Sequence, residues 1–290
     1  MNKNNLHKII VLFMVTFFVN ISYAKPNILV SITPIGSLTA MLVKEHANVI
    51  ILNSSAGCPH EHNIRPSDKL LLEHADMVIY VDDNFDNLTS LVMKDYKGKK
   101  IKISDISSIS FTGKDGLTNW HFWLDLTNVK LLEKALAANI IHSFPEMKDA
   151  VEKNLSDALV DISQLEELKK SKLSNLDSMV LLTDSLEHFF KSLNIDYFQA
   201  FQMNSSTNSL KALKNLDDKL NSDAVKCLIL DMEQNSELYS KYNKVIIQLD
   251  GENWKTPSNT PDDANKKLEP LFLDKYQEMI NQLSRCRRIS

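Results

Sequence analysis

The segment GCPHEHNIRPSD, residues 57–68, lies between the apolar run VIIL at residues 49–52 and a helical pattern that starts after Pro66 and Ser67. This order predicts a loop at the carboxyl end of a strand, where open α/β sheets bind their ligands. The loop carries one thiol, two imidazoles and one carboxylate, and these side chains bind borderline transition metals. The first hypothesis is a metal site that includes His60, and the alternative is an ordinary polar loop.

Short apolar runs alternate with helical patterns along both halves of the chain. Strands are predicted at residues 28–32, 49–52, 77–81 and 100–103, and again at 179–182, 197–201, 227–230 and 245–249. A helical stretch from residue 146 to about 173 lies between the halves and is long for a globular helix. The sequence therefore predicts an α/β fold of two lobes, each with a four-stranded mainly parallel sheet, joined by one long connecting helix. Other predicted helices include residues 85–94, 184–193 and 263–285.

The N-terminus has the pattern of a secretory signal peptide. Lys3 and Lys8 precede an apolar run at residues 9–19, and the sequence SYA follows at residues 22–24. Because the apolar run is too short to anchor the chain across a bilayer, we expect cleavage before Lys25 and export to the periplasm. The predicted organisation is a signal peptide at 1–24, an N-terminal lobe at 25–128, a connecting helical segment at 129–174 and a C-terminal lobe at 175–290.

Composition excludes several classes of function. The net charge is −4 without a basic segment, which argues against nucleic acid as a partner. The six glycines form neither GxGxxG nor a P-loop, so nucleotide chemistry has no support. The three cysteines, Cys58, Cys227 and Cys286, allow three disulfide pairings in an oxidising compartment.

Candidate metal donors follow the predicted strands of both halves. His60 follows the second strand, His121 ends a long loop, and Asp250 comes directly after the last strand. Thr183 and Asp184 follow the first strand of the second half, and His188 lies on the next helix. Donors from two lobes would enclose an ion in the cleft between them. Asp231 and Glu233 end another strand, and we expect them to act through their charge and not as ligands.

Several short motifs in this order resemble a known family. They are SITP at 31–34, CPH at 58–60, RPSD at 65–68, ADMV at 75–78, HFWLD at 121–125, CLILD at 227–231 and LD at 249–250. The chain resembles the metal-specific substrate-binding proteins of bacterial ABC importers for zinc, manganese and iron. It is most similar to their periplasmic zinc-binding branch.

The resemblance implies a set of roles for individual residues. His60, His121 and Asp250 would bind the ion, and Cys227 and Cys286 would form the disulfide. The family places His or Glu where this chain has Thr183, and a neutral hydroxyl is a poor zinc ligand. Either Asp184 or His188 would then take its place, and we include His188 in the predicted ligand set.

The sequence therefore predicts a solute-binding protein and not an enzyme. It would be a monomer that captures a divalent transition metal, Zn²⁺ first and Mn²⁺ or Fe²⁺ as alternatives, and delivers it to an ABC permease of the inner membrane. A zinc hydrolase is a second alternative, which the lack of an HExxH motif and of an identifiable general base disfavours. A third is a diverged homologue that keeps the fold without a metal.

Overall fold

The computed structural model describes residues 24–52, 66–86, 96–114, 116–176, 178–193, 195, 197–200, 210–252, 254 and 264–287. Within these ranges no helix is both long enough and apolar enough to cross a membrane. The loop that contains His60, and most of the helix predicted at residues 85–94, lie outside the described residues.

The N-terminal sheet has four parallel strands in the order β2-β1-β3-β4. The strands are β1 (Asn27–Val30), β2 (Asn48–Ile51), β3 (Met77–Tyr80) and β4 (Lys99–Lys102), and the first two helices are α1 (Thr33–Val43) and α2 (Pro66–Glu73). The fixed φ of Pro34 suits the first turn of α1. The four strands confirm the sequence prediction to within two residues at each end.

Two long helices connect the lobes. They are α3 (Leu126–Ser143) and α4 (Lys148–Leu173), separated by a short 3-10 turn at Pro145–Met147. The 26 residues of α4 confirm the predicted connecting helix. On its buried face, Asn154 donates a hydrogen bond to the carbonyl of Leu42 at the end of α1.

The C-terminal sheet repeats the same parallel arrangement in the order β6-β5-β7-β8. Its strands are β5 (Met179–Leu181), β6 (Tyr197–Gln199), β7 (Cys227–Asp231) and β8 (Val245–Leu249). The accompanying helices are α5 (Glu187–Phe190), α6 (Leu210–Asn221), α7 (Ala264–Leu268) and α8 (Leu271–Leu283).

Two helices of this lobe differ from the predicted extents. The helix predicted at residues 184–193 is only the four-residue α5, because the Asp184 carbonyl accepts a side-chain bond from Asn119 and the Phe189 carbonyl accepts one from Lys169. The helix predicted at 263–285 is divided into α7 and α8 before Pro270, whose ring disfavours helical backbone at the preceding residue.

The alternation of side chains along the strands divides the core into three parts. Ile28 and Val30 of β1 face a large central core that also contains residues of α3, α4, α8 and the C-terminal sheet. Leu29 faces a small outer core of the N-terminal lobe, and Val180 faces its counterpart in the C-terminal lobe. Because one continuous core includes residues of both lobes, their relative position is fixed by packing and not only by the connecting helix.

The C-terminal segment is fastened at two places. Cys227 of β7 and Cys286 form a disulfide, with their Cα atoms 5.9 Å apart, which confirms the pairing implied by the family resemblance. The helices α7 and α8 pack against α1 of the other lobe, where the Ser37 hydroxyl bonds the Leu268 carbonyl and accepts from the Phe272 amide. The last helices thus cover the N-terminal sheet.

Candidate metal-binding cleft

His121 is held by the segment that leads into α3. Its carbonyl accepts a bond from the Leu124 amide in the 3-10 turn Phe122–Leu124, and Asp125 caps α3 by accepting from Thr127. The fully buried Trp123 packs edge-on against the His121 ring, with centroids 5.2 Å apart. The apolar sequence FWL therefore anchors the loop, and the imidazole has little freedom to rotate.

Asn119 fixes the tautomer of His121. The Asn119 Oδ1 atom accepts from the His121 amide at 3.0 Å and lies 2.9 Å from His121 Nδ1. Asn119 Nδ2 donates to the Asp184 carbonyl, so the amide cannot be turned round without losing these bonds. His121 therefore carries its hydrogen on Nδ1, and Nε2 is the nitrogen that can bind an ion. Metal-binding histidines are commonly oriented by a partner of this kind.

Glu252 of the opposite lobe meets His121 at this nitrogen. Glu252 Oε1 is 2.6 Å from His121 Nε2, and the two side chains are only 11% and 4% exposed. An imidazole lone pair and a carboxylate repel each other at this distance unless a positive centre lies between them. The two atoms therefore form a position for a positive centre between the lobes.

Trp123 ties the two sides of the cleft together. Its indole Nε1 donates to the Gly251 carbonyl at 2.9 Å, across 128 positions of sequence. Gly251 lies between Asp250 and Glu252, so this single bond places the segment after β8 directly beside His121. Trp254 also holds this segment, because its indole donates to the Asp250 carbonyl at 2.9 Å.

The carboxyl end of β7 adds a second buried acid. Asp231 accepts from the Ser185 hydroxyl at 3.0 Å, and Ser185 in turn lies 2.8 Å from the Thr183 hydroxyl. Burial, and then the negative charge of Glu252, raise the pKa of Asp231 to about 6, while the Ser185 hydrogen bond and His121 act in the opposite direction. Asp231 thus shares the electrostatic environment of the cleft, as expected from its position at a strand end.

Asp250 lies where the sequence placed it, directly after β8. Its Oδ1 atom accepts from the Glu252 amide at 3.2 Å. This bond across two residues shapes the turn that carries Glu252, so Asp250 and Glu252 belong to one local structure.

His188 lies behind His121. Its Nε2 donates to the Asn119 carbonyl at 3.1 Å, the side chain is almost completely buried, and burial lowers its pKa to about 4. The neighbouring Glu187 accepts from the Lys114 amide at 3.0 Å and from Asn119. The short helix α5 is therefore pinned to the loop that precedes His121, and His188 contacts that loop through Asn119.

The described residues bring together part of the predicted ligand set. His121 and Asp250 flank the same cleft, whereas His60 lies outside the described residues. Among the described residues no three His, Cys, Asp or Glu side chains are close enough to hold an ion without movement.

Two residues of the cleft were missed by the sequence reasoning. Asn119 stands two positions before His121, and Glu252 stands two positions after Asp250. Their proximity to predicted ligands was the only available signal. The Asn119 contact with His121 is local, whereas the Glu252 contact depends on how the lobes pack.

Two α/β lobes with polar side chains from both at one cleft define a class of protein that binds a small ligand between its lobes. The comparisons with known proteins agree with this class. The chain belongs to the family described as periplasmic component A of the zinc-uptake complex, whose model matches residues 28–286.

Relatives of the chain include transport proteins with named ligands. An uncharacterised protein of Rickettsia prowazekii, RP014, is 39% identical over 93% of this chain and 86% of its own length. A metal ABC transporter substrate-binding lipoprotein of Lactococcus lactis is 24% identical over 79% of this chain and 81% of its own length. The high-affinity zinc uptake protein ZnuA of Haemophilus influenzae is 19% identical over 78% and 85%.

Solved structures share the fold. A crystal structure of ZnuA superposes with a TM-score of 0.74 at 16% identity and covers 91% of this chain and 100% of that one. The binding protein FpvC of Pseudomonas aeruginosa, in complex with Mn²⁺, gives 0.74 at 13% identity over 91% and 98%. Members of the family are substrate-binding proteins for transport. The chain is accordingly not an enzyme, and the hydrolase alternative is set aside.

Proposed function

We propose that this chain is an exported, periplasmic protein that captures one divalent transition metal, zinc first, and delivers it to an ABC permease of the inner membrane. The ion would bind in the cleft, with His60 and His121 from one lobe and Asp250 from the other. Capture exchanges water for protein donors, and the protein would act as a monomer.

The observation that carries this proposal is the state of His121. Its Nδ1 is committed to Asn119, its Nε2 faces the cleft, and an acidic side chain of the other lobe stands 2.6 Å away. A buried, oriented imidazole opposite a carboxylate is a pair of donors for a metal ion, and imidazole and carboxylate are both ligands that zinc accepts. The family model and the zinc and manganese relatives support the same reading.

Manganese or iron(II) is the second candidate for the cargo. The described side of the C-terminal lobe offers Asp231, Asp250 and Glu252 to the cleft, and oxygen donors suit manganese better than imidazole does. A diverged protein without a metal is the remaining alternative.

Thermal and chemical unfolding of the chain from residue 25, stripped with a chelator, tests the proposal. With zinc or manganese at about one hundred times its dissociation constant, the free energy of unfolding should rise by roughly 2.7 kcal/mol. His121→Ala should lose that increment, whereas His46→Ala, a side chain that is 43% exposed on the surface, should keep it. If neither ion stabilises the wild type, the metal-binding function is wrong.

A further inference from the structure

The contact between His121 and Glu252 has two features that an ordinary surface ion pair lacks. It joins the two lobes across the cleft, and both side chains are almost completely buried. A buried pair of this kind loses hydration on both sides, and a buried charge is commonly retained because it is paired or binds a cation.

The geometry of the pair suits a shared ion. Glu252 Oε1 and His121 Nε2 lie on opposite sides of the cleft, and the 2.6 Å between them is less than the separation of two ligands of one metal ion. Two ligands of one tetrahedral zinc, each about 2.1 Å from the ion, stand about 3.4 Å apart. A change of less than about 1 Å at the end of the Glu252 side chain provides that space, while His121 stays fixed by Asn119.

Several other polar groups of the C-terminal lobe are already hydrogen-bonded or are weaker metal ligands. The Thr183 hydroxyl bonds Ser185, and Ser185 bonds Asp231. The His188 Nε2 atom donates to the Asn119 carbonyl, so this nitrogen is bound to the loop that leads to His121.

We propose that Glu252 is a direct ligand of the transported ion, paired with His121 across the cleft. This inference rests on the proposed function and adds Glu252 to Asp250 as a ligand from the C-terminal lobe. An imidazole and a carboxylate in these two places give the site more oxygen character than two imidazoles would. Glu252 is thereby a determinant of the selectivity between zinc and manganese.

The first test compares dissociation constants for Zn²⁺ and Mn²⁺, measured by competition with a fluorescent chelator. Glu252→Gln keeps the size of the side chain and removes its charge, and it should weaken binding of both ions at least as much as the roughly 10–100-fold loss caused by removing an outer partner. Glu237→Gln makes the same change of charge on an exposed side chain of the same lobe and should leave both constants within about threefold.

The second test uses Co²⁺ as a spectroscopic probe of the ligands. If Glu252 binds the ion, Glu252→Gln should change the visible absorption of the bound Co²⁺, whereas a residue that only supports the fold would leave the spectrum unchanged. Glu252→His should bind zinc again and should lose more manganese affinity than zinc affinity, since it replaces an oxygen donor by imidazole.

The possible results separate this inference from the function on which it rests. If the wild type binds an ion, His121→Ala abolishes binding, and Glu252→Gln alters neither affinity nor spectrum, then Glu252 is not a ligand and the proposed function stands. If the wild type binds no ion, or His121→Ala binds as well as the wild type, the proposed function and this inference are both overturned.

Discussion

The two lobes have the same strand order but present different kinds of side chain to the cleft. The N-terminal lobe offers the imidazole of His121, which Asn119 and Trp123 hold in place. The C-terminal lobe offers carboxylates, among them Asp231, Asp250 and Glu252, on the segments that follow β7 and β8. One side presents an oriented imidazole, and the other presents carboxyl groups.

The difference extends to how the first helix of each lobe is built. After β1, the eleven residues of α1 are all buried and form a rigid cover for the sheet. After β5, the chain forms only the four residues of α5. The side chains of Glu187 and His188 and the carbonyl of Asp184 are all hydrogen-bonded to the loop before His121. The C-terminal lobe thus uses polar contacts where the N-terminal lobe uses apolar packing, so the former should respond more strongly to changes of single side chains.

The largest expected effect concerns the disulfide, which fastens the segment after α8 to β7 of the C-terminal lobe. Its cysteines are 59 positions apart, and closing a loop of that length stabilises a fold by about 4 kcal/mol in the chain-entropy account. Cys227→Ser combined with Cys286→Ser should lower the free energy of unfolding by about this amount, measured by urea denaturation.

Hydrogen exchange shows whether the loss is local. Protection should fall more in β5, β7 and β8 than in β1 and β3, and dithiothreitol should have no further effect on the double variant. Equal loss of protection in both sheets would show that the disulfide acts through the core that both lobes share.

The second effect concerns Lys169, a buried side chain of α4 that bonds three groups of the C-terminal lobe. Its ammonium group donates to the Phe189 carbonyl, to the Ser192 hydroxyl at 3.0 Å and to the Tyr276 hydroxyl at 3.0 Å. Tyr276 donates in turn to the Leu124 carbonyl at 2.7 Å. Burial lowers the pKa of Lys169 to about 7, and the nearby charges of Asp125 and Glu166 only partly oppose that effect.

The sign of the resulting pH dependence follows from the lowered pKa. Above pH 7 the folded protein releases the proton of Lys169 while the unfolded chain keeps it up to about pH 10.5, so stability should rise with pH in this window. Between pH 7 and 9 the increment is about 2 kcal/mol, since one pKa unit corresponds to roughly 1.4 kcal/mol.

Lys169→Met removes the titrating group and should lack that increment when urea denaturation is compared at pH 7 and pH 9. Lys153→Met on the same helix, where the side chain is 74% exposed, should behave as the wild type does. Equal slopes for Lys169→Met and wild type would show that this lysine does not titrate in the window.

The smallest of the three effects concerns Asn119, which holds the His121 ring in its orientation. Asn119→Ala removes the acceptor for His121 Nδ1 and frees the ring to adopt the other tautomer. We expect zinc affinity to fall by about tenfold or somewhat more, as for other outer partners of metal-binding histidines.

Competition with a fluorescent chelator measures this change, and the exposed Asn139→Ala serves as control because its amide bonds only the Ala135 carbonyl of its own helix. If Asn119→Ala binds zinc as tightly as the wild type, the orientation of His121 must come from the aromatic contacts alone.

Most of the fold was accessible from the sequence because it depends on local patterns. The apolar runs of the eight strands and the long stripe of α4 indicate their own structure, whatever lies around them. The length of α5 was not accessible, because the helix is limited by bonds from Asn119 and Lys169, which are 65 and 20 positions away from the groups they contact.

The residues of the candidate site likewise fall into those that the sequence indicates and those that it does not. His121 and Asp250 stand at strand or loop ends and can be recognised from their position. The contact of Glu252 with His121 depends on the Trp123 bond to Gly251, which spans 128 positions, and no pattern in either segment announces it. Which side chain contacts His121 across the cleft depends on how the lobes pack, and the sequence of neither segment indicates it.

The return of the C-terminal helices to α1 has a consequence for how the chain reaches its folded state. Ser37 is separated by 231 positions from Leu268 and by 235 from Phe272, and Asn265 accepts from the Val49 amide over 216 positions. Contacts between such distant residues carry a large loop-closure entropy and slow folding. The first sheet therefore cannot acquire its cover of α7 and α8 until the segment at 264–283 has been synthesised, so the N-terminal half of the chain must wait for its end before it is completely folded.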